Sequence, residues 1–236
     1  MITEERLTYY LRSLEKPKSP LLESIRKEAL ETGVPIVRPE TEALLSFFVE
    51  AFRPKEILEV GTAVGYSALL MAESLPEDGH ITTIENYPPR IEKASENIEK
   101  AGETGRITLL PGDASEILSK LLSEQEAGKR APFDLVFMDA AKAQYIVWLP
   151  VIRKLLRPGG ILLSDNVLQD GDVAESRYAV RRRDRTIHTR MREYLYTLKH
   201  AAGLTTAVLP LGDGVAVTLV REKESDSVEQ ILQENL

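Results

Sequence analysis

Short apolar runs alternate with amphipathic stretches along most of this chain. Runs at Glu56–Val60, His80–Glu85, Arg106–Leu110, Phe133–Met138, Ile161–Ser164, Thr205–Leu209 and Ala216–Val220 read as strands. Stretches at Tyr66–Leu75, Arg90–Ala101, Ser115–Glu126, Tyr145–Leu156 and Thr189–Ala202 read as helices. Such alternation builds a parallel sheet with helices on both faces. Ahead of it, residues 1–33 read as two helices broken at Pro17 and Pro20, and Thr41–Phe52 as a third. The turn Gly212-Asp213-Gly214 is too short for a parallel crossover, so the last strand is predicted to be antiparallel. The fold class predicted is therefore α/β, a doubly wound seven-stranded sheet with the last strand antiparallel and with N-terminal helices. One domain is expected over 1–236, made of a helical preface (1–52), a core (53–221) and a polar tail (222–236).

The first strand ends in Glu59, and Val60-Gly61-Thr62-Ala63-Val64-Gly65-Tyr66-Ser67 follows as a small-residue turn opening a helix. Gly61, Thr62 and Gly65 fall where backbone passes close to a ligand. A dinucleotide site would read G-x-G-x-x-G, with amides facing a pyrophosphate. A carboxylate at position 59 instead repels phosphate and pairs with an amino group, which favours S-adenosylmethionine over a nicotinamide dinucleotide. Glu85, at the tip of the second strand, suits both hydroxyls of a ribose. Asp113-Ala114, after the third strand, lies where an adenine would sit. The alternatives are ordinary: two glycines permit any tight turn, and Glu85 precedes a Pro88-Pro89 turn.

The fourth and fifth strands end at Asp139 and at Asp165-Asn166. Neighbouring parallel strands bring their carboxyl ends to one edge, so these three residues are expected to converge beside the Gly61 loop. Oxygen ligands without His or Cys suit a hard cation, Mg²⁺ before zinc. Taken singly, each acid also reads as a helix cap. Lys142, three residues after Asp139, is expected over the same pocket as a base with a lowered pKa, or else as a solvated lysine in a first helical turn.

The absence of cysteine excludes disulfides, thiolate metal sites and a cysteine nucleophile. The N-terminus lacks a signal-peptide layout and no run approaches ~18 apolar residues, so a soluble, cytoplasmic protein without membrane contact is expected. A net charge of -7 argues against coating nucleic acid with the whole surface.

Taken together, Glu59 to Ser67, Glu85, Asp113-Ala114, Asp139-Ala140-Ala141-Lys142 and Asp165-Asn166 resemble the metal-dependent class I O-methyltransferases related to catechol and caffeoyl-CoA methyltransferases. The resemblance covers about residues 34 to 221 and implies a Rossmann-like core. It implies S-adenosylmethionine held by Val37, Glu59, Gly61, Thr62, Gly65, Ser67, Glu85, Asp113, Ala114 and Asp139, with Ile36-Val37 closing over it. It further implies Mg²⁺ (or Mn²⁺) on Asp139, Asp165 and Asn166, Lys142 and Asp139 as catalytic residues, and a homodimer.

The acceptor side departs from the small-molecule members. Their tryptophan just before the lysine is Ala141 here, and the only tryptophan is Trp148. From Arg177 to Arg192 the chain carries seven arginines (177, 181, 182, 183, 185, 190 and 192) against one Asp. Arg177, Arg181, Arg182, Arg183 and Arg185 are expected to hold a nucleic-acid backbone while one base enters the pocket. Pairing of these arginines with the protein's surplus acids or with a second subunit is the competing account. This segment, with Asp139 to Lys142 and Val34-Pro35-Ile36, resembles the bacterial tRNA 5-hydroxyuridine methyltransferase branch. That resemblance implies methylation of the wobble 5-hydroxyuridine of tRNA to 5-methoxyuridine, the 5-hydroxyl and 4-carbonyl forming a catechol-like pair. An anticodon-loop base is unpaired and can be splayed into a pocket. The alternative acceptor is a catechol or a hydroxycinnamoyl thioester. A dehydrogenase or a binding module would leave Glu59 and the three metal candidates unexplained.

Overall fold

The computed structural model describes residues 5–221. The expected polar tail, 222–236, lies outside the described residues. Eight helices and seven strands follow in the order α1 (Glu5–Ser13), α2 (Pro20–Thr32), α3 (Pro39–Phe52), β1 (Glu56–Val60), α4 (Tyr66–Ser74), β2 (His80–Glu85), α5 (Pro88–Lys100), β3 (Ile107–Pro111), α6 (Ala114–Glu126), β4 (Phe133–Met138), α7 (Tyr145–Leu155), β5 (Leu156–Ser164), α8 (Arg185–His200), β6 (Leu204–Leu209) and β7 (Val215–Val220). Short 3₁₀ turns occupy Lys142–Gln144, Gln169–Ala174 and Arg182–Asp184. The seven strands form one sheet of order β3-β2-β1-β4-β5-β7-β6.

The chain forms two compact units that divide between Ile117 and Leu118. In the first, β1 and β3 run parallel to β2 on either side of it. Ile57, Leu58, Val60, Ile81 and Ile84 are almost fully buried, as expected of parallel strands covered on both faces. In the second, β4 and β5 are parallel, with Met138 opposite Ser164, while β7 lies antiparallel between β5 and β6. The predicted antiparallel last strand is therefore present.

Proline starts helices here more often than it breaks them. Pro20, Pro39 and Pro88 each open a helix, where the missing N–H costs nothing, so Pro20 starts α2, and α3 and α5 begin earlier than periodicity alone indicates. Ser19 caps α2 through its hydroxyl, and Gly33 closes it at φ +68°. Strand β5 also starts early, at Leu156. Phe133 pairs with Leu156 but Leu135 with Ile161, so Arg157–Gly160 bulge out of the ladder, where Pro and Gly are tolerated.

The β6–β7 turn packs against the chain that leaves β5. Val167 N donates to Gly214 O (2.9 Å) and Leu168 N to Asp213 O (3.0 Å). Gly214 is buried at φ +87°, and a β-carbon there would overlap the Leu168 side chain. Gly214→Ala is expected to lower stability by about 2 kcal/mol through strain and overpacking together, measured by urea unfolding of the purified chain.

Candidate functional site

Glu59 is fully buried at the end of β1, and its Oε2 accepts a hydrogen bond from the Thr83 hydroxyl on β2. Beyond it the chain turns back on Ile84, whose carbonyl accepts from Gly61 N (3.0 Å) and Thr62 N (3.2 Å). The turn then passes through positive φ at Gly61 (+95°), Ala63 (+49°) and Gly65 (+83°). For Ala63 this conformation costs about 1 kcal/mol or more. What holds it is Glu85, whose Oε2 accepts from Ala63 N at 2.9 Å. Glu85 Oε1 accepts from Asn86 N (2.9 Å) and Tyr87 N (3.0 Å). Three backbone N–H groups thus fix the carboxylate's direction, and its remaining lone-pair capacity is available to a ribose hydroxyl.

Ser67 is buried in the first turn of α4, and Val37 is buried just before α3. The Thr62 hydroxyl is buried without a hydrogen-bond partner among the described residues, which marks a place where a ligand's polar group would be satisfied. Asp113 also has a structural role. Its Oδ1 accepts from Ser115 N (2.8 Å) and Glu116 N (3.4 Å) and caps α6, of which Ala114 is the first residue.

The acid cluster lies in the second unit. Asp139 and Asp165 follow Met138 and Ser164, a register pair on adjacent parallel strands, so both carboxylates stand at the same strand-tip level. Asp139 Oδ1 accepts from Lys142 Nζ at 2.5 Å and makes no helix cap. Asp165 is buried, its Oδ1 accepting from Asn166 N at 2.8 Å. Asn166 sits at φ +57°, and its amide nitrogen lies 3.5 Å from Asp213 Oδ2. That orientation leaves the amide oxygen for another partner.

Among the described residues, no three His, Cys, Asp or Glu side chains form a metal-holding group. The predicted set is two carboxylates and one amide, a donor set that fits a hard cation retaining water.

Tyr145 is the residue that sequence reasoning missed. Its hydroxyl lies 2.9 Å from Met138 O and 3.2 Å from Asp165 O, accepts from Ala140 N (3.3 Å), and receives a hydrogen bond from Lys142 Nζ (3.0 Å). One buried oxygen therefore joins the ends of β4 and β5 to the lysine. The Tyr194 ring packs edge-on against it at 5.5 Å, and Tyr194 Oη reaches the Ser164 hydroxyl at 2.6 Å. The signal was the i, i+3 spacing of Tyr145 from Lys142, hidden because a tyrosine in an apolar helix face reads as packing.

The electrostatics correct one expectation about Lys142. Burial alone would lower its pKa, but Tyr145 and Asp139 outweigh it and hold the ammonium above the ordinary lysine range. Its ammonium donates to Asp139 Oδ1 and to the Tyr145 hydroxyl.

The arginine segment is half helix. Arg185 opens α8, whose first buried residue is His188, so its first three residues showed no periodicity. Arg177, Arg181, Arg182 and Arg183 are exposed. Arg183 pairs with Asp184 at 3.6 Å, whereas Arg177, Arg181 and Arg182 make no ion pair among the described residues. The Arg185 guanidinium lies 5.9 Å from the centre of the Tyr178 ring, which is 86% exposed. Arg190 and Arg192 donate instead to the carbonyls of Ala143 (3.0 Å) and Val173 (2.6 Å).

Because the Tyr145 hydroxyl satisfies several buried groups at once, Tyr145→Phe is expected to cost about 2 to 3 kcal/mol by urea unfolding. Tyr194→Phe, which strands only the Ser164 hydroxyl, is expected to cost about 1 kcal/mol.

The O-methyltransferase family model matches residues 12–223. A catechol O-methyltransferase of Niastella koreensis is 34% identical over 173 residues, covering 72% of this chain and 76% of that protein. A caffeoyl-CoA O-methyltransferase of Stellaria longipes is 30% identical over 222 residues, covering 91% and 90%. In shape, the chain is similar to the O-methyltransferase from Bacillus cereus in complex with SAH, with a TM-score of 0.80 and 26% identity over 94% of this chain and 100% of that one. The chain therefore belongs to the O-methyltransferase family and is an S-adenosylmethionine-dependent O-methyltransferase.

Proposed function

We propose that this enzyme methylates a hydroxyl that has a second oxygen beside it, with a hard divalent cation at Asp139, Asp165 and Asn166, and that its acceptor is 5-hydroxyuridine at the wobble position of tRNA. The observation that carries the acceptor is the set of exposed arginines 177, 181 and 182 without ion-pair partners among the described residues, with Tyr178 exposed between them. Unpaired guanidiniums attract phosphates, and an exposed ring offers a stacking face to a base.

In the donor half, Glu59 receives the ammonium of the methionyl tail, Glu85 a ribose hydroxyl and Thr62 a polar group of the ligand, while Val37 covers it. On the acid side, Mg²⁺, or Mn²⁺, supplies positive charge that favours the ionised acceptor hydroxyl. Asp139, Asp165 and the Asn166 amide oxygen hold that charge in place. Tyr145 keeps the two strand tips at fixed spacing, and Lys142 orients Asp139. Transfer is direct: the acceptor oxygen attacks the sulfonium methyl, the O–methyl bond forming as the S–methyl bond breaks, and no covalent enzyme intermediate is required.

A second reading has its own support. The similar proteins are named for catechol and caffeoyl-CoA, which favours a small aromatic acceptor. A homodimer fits both readings. Leu7, Tyr9, Tyr10 and Leu11 on α1 and Phe47 and Phe52 on α3 are exposed apolar side chains that a second copy would cover.

The test is transfer of labelled methyl from S-adenosylmethionine with Mg²⁺, offering in parallel tRNA from cells lacking this gene and a simple catechol. Labelled tRNA is expected, abolished by a chelator and restored by Mg²⁺. Arg181→Ala/Arg182→Ala/Arg183→Ala should reduce tRNA labelling by about a hundredfold or more at physiological salt, since three phosphate contacts are lost. Catechol labelling unaffected by that change, with unlabelled tRNA, would establish the small-molecule reading instead. Asp165→Asn should lower kcat/KM for either acceptor by about a hundredfold and raise the Mg²⁺ concentration needed for half-maximal rate.

A further inference from the structure

Three polar side chains from three helices meet beneath the methyl-donor elements of the first unit. The Arg26 guanidinium on α2 donates from Nη2 to Glu42 Oε2 on α3, and from Nη2 (3.0 Å) and Nε (3.2 Å) to the Tyr66 hydroxyl on α4. Glu42 is 2% exposed and Tyr66 1%. Each sits beside a donor element. Glu42 lies one turn into α3, its N–H bonded to Arg38 O (2.9 Å), directly after Ile36-Val37. Tyr66 stands between Gly65 and Ser67.

Stability does not account for this cluster. Burial pushes the Glu42 carboxyl above its ordinary range in spite of Arg26, and the Tyr66 hydroxyl to about 12, while Arg26, in spite of desolvation, is raised by Tyr66 and Glu42, so the charge of the cluster rests on the guanidinium. Apolar side chains of the same volume would join the helices at equal or lower cost. An arginine fork holding two oxygens gives something apolar packing does not, a fixed distance and angle between two elements. Val37 is buried, yet one side of segment 36–38 is open. It borders a cavity of about 610 Å³, which Arg26 and Glu42 also line, so on that side a polar tie replaces packed neighbours.

We infer that Arg26, Glu42 and Tyr66 are positioning residues for the methyl donor, locking the Val37 segment and the glycine loop into one frame before the donor arrives. The inference rests on the reading that Val37 and Ser67 touch the donor. Pre-organisation of this kind acts on affinity, since the ordering is done before binding.

The test is calorimetric titration of S-adenosylhomocysteine into the full chain and into Tyr66→Phe, Arg26→Lys and Glu42→Gln, with the melting midpoint of each unliganded protein and its donor KM and kcat. The dissociation constant and donor KM are expected to rise together, by about three- to tenfold in Tyr66→Phe and Arg26→Lys, with kcat at saturating donor within about twofold of wild type. Lysine should fail to rescue, because one ammonium cannot reproduce the planar fork. Tyr66→Phe and Arg26→Lys proteins that bind within about twofold of the unsubstituted chain would overturn the inference, as would affinity loss confined to variants whose melting midpoint also falls. Failure of the unsubstituted chain to bind would defeat the donor reading itself, and is distinguishable because it appears before any substitution.

Discussion

The buried hydroxyl of Tyr145 is the interaction on which the acid side depends. The two parallel strands are joined at their ends by a ladder bond, Asp165 N to Met138 O (3.0 Å), and the backbone groups just beyond it need partners in a closed interior. Here one hydroxyl lies within reach of Met138 O and Asp165 O and takes up the Ala140 N–H and the Lys142 ammonium as well. The next residues along each strand are Asp139 and Asp165-Asn166, so their spacing follows from the strand pairing and from the hydroxyl that braces its end. Repulsion between two nearby carboxylates works against such an arrangement, and the ammonium of Lys142 offsets it from one side.

The donor half solves a similar problem in reverse. Its two strand-end carboxylates, Glu59 and Glu85, are held by the hydrogen-bond donors around them. Glu85 is aimed by three backbone N–H groups, one of them the Ala63 N–H in a left-handed turn, so the same bonds that orient the acid also stabilise the strained loop. Backbone geometry and side-chain chemistry are here a single feature.

The seven strands, the antiparallel last strand and the acids at the strand ends were legible from the chain, because apolar runs and short turns report burial directly. Helix starts were less legible where proline occupied the first position, as at Pro20, Pro39 and Pro88, since the same residue reads as a breaker. The bulge at Arg157–Gly160 was hidden for the same reason. What periodicity could not show was a polar atom carried on a residue that otherwise packs. Tyr145, Tyr66 and Tyr194 each fill core volume, and their hydroxyls do the local ordering. Asp113 adds a second such case, since its Oδ1 caps α6 as well as standing where a ligand was expected. The direction of the Lys142 shift was also beyond sequence, because it is set by which neighbours lie within hydrogen-bond distance.

The chain leaving Asn166 is tied early and then released. Val167 and Leu168 bond to the β6–β7 turn, and Asp213 reaches both Asn166 and Asp170. Beyond Glu175 the chain runs exposed through Ala179 before Val180 is buried again. The stretch 176–179 is thus a cassette. It can be exchanged for another sequence, or lengthened, without disturbing one hydrogen bond of the acid cluster. The surface of this stretch is in this way free to vary while the acid cluster keeps its geometry.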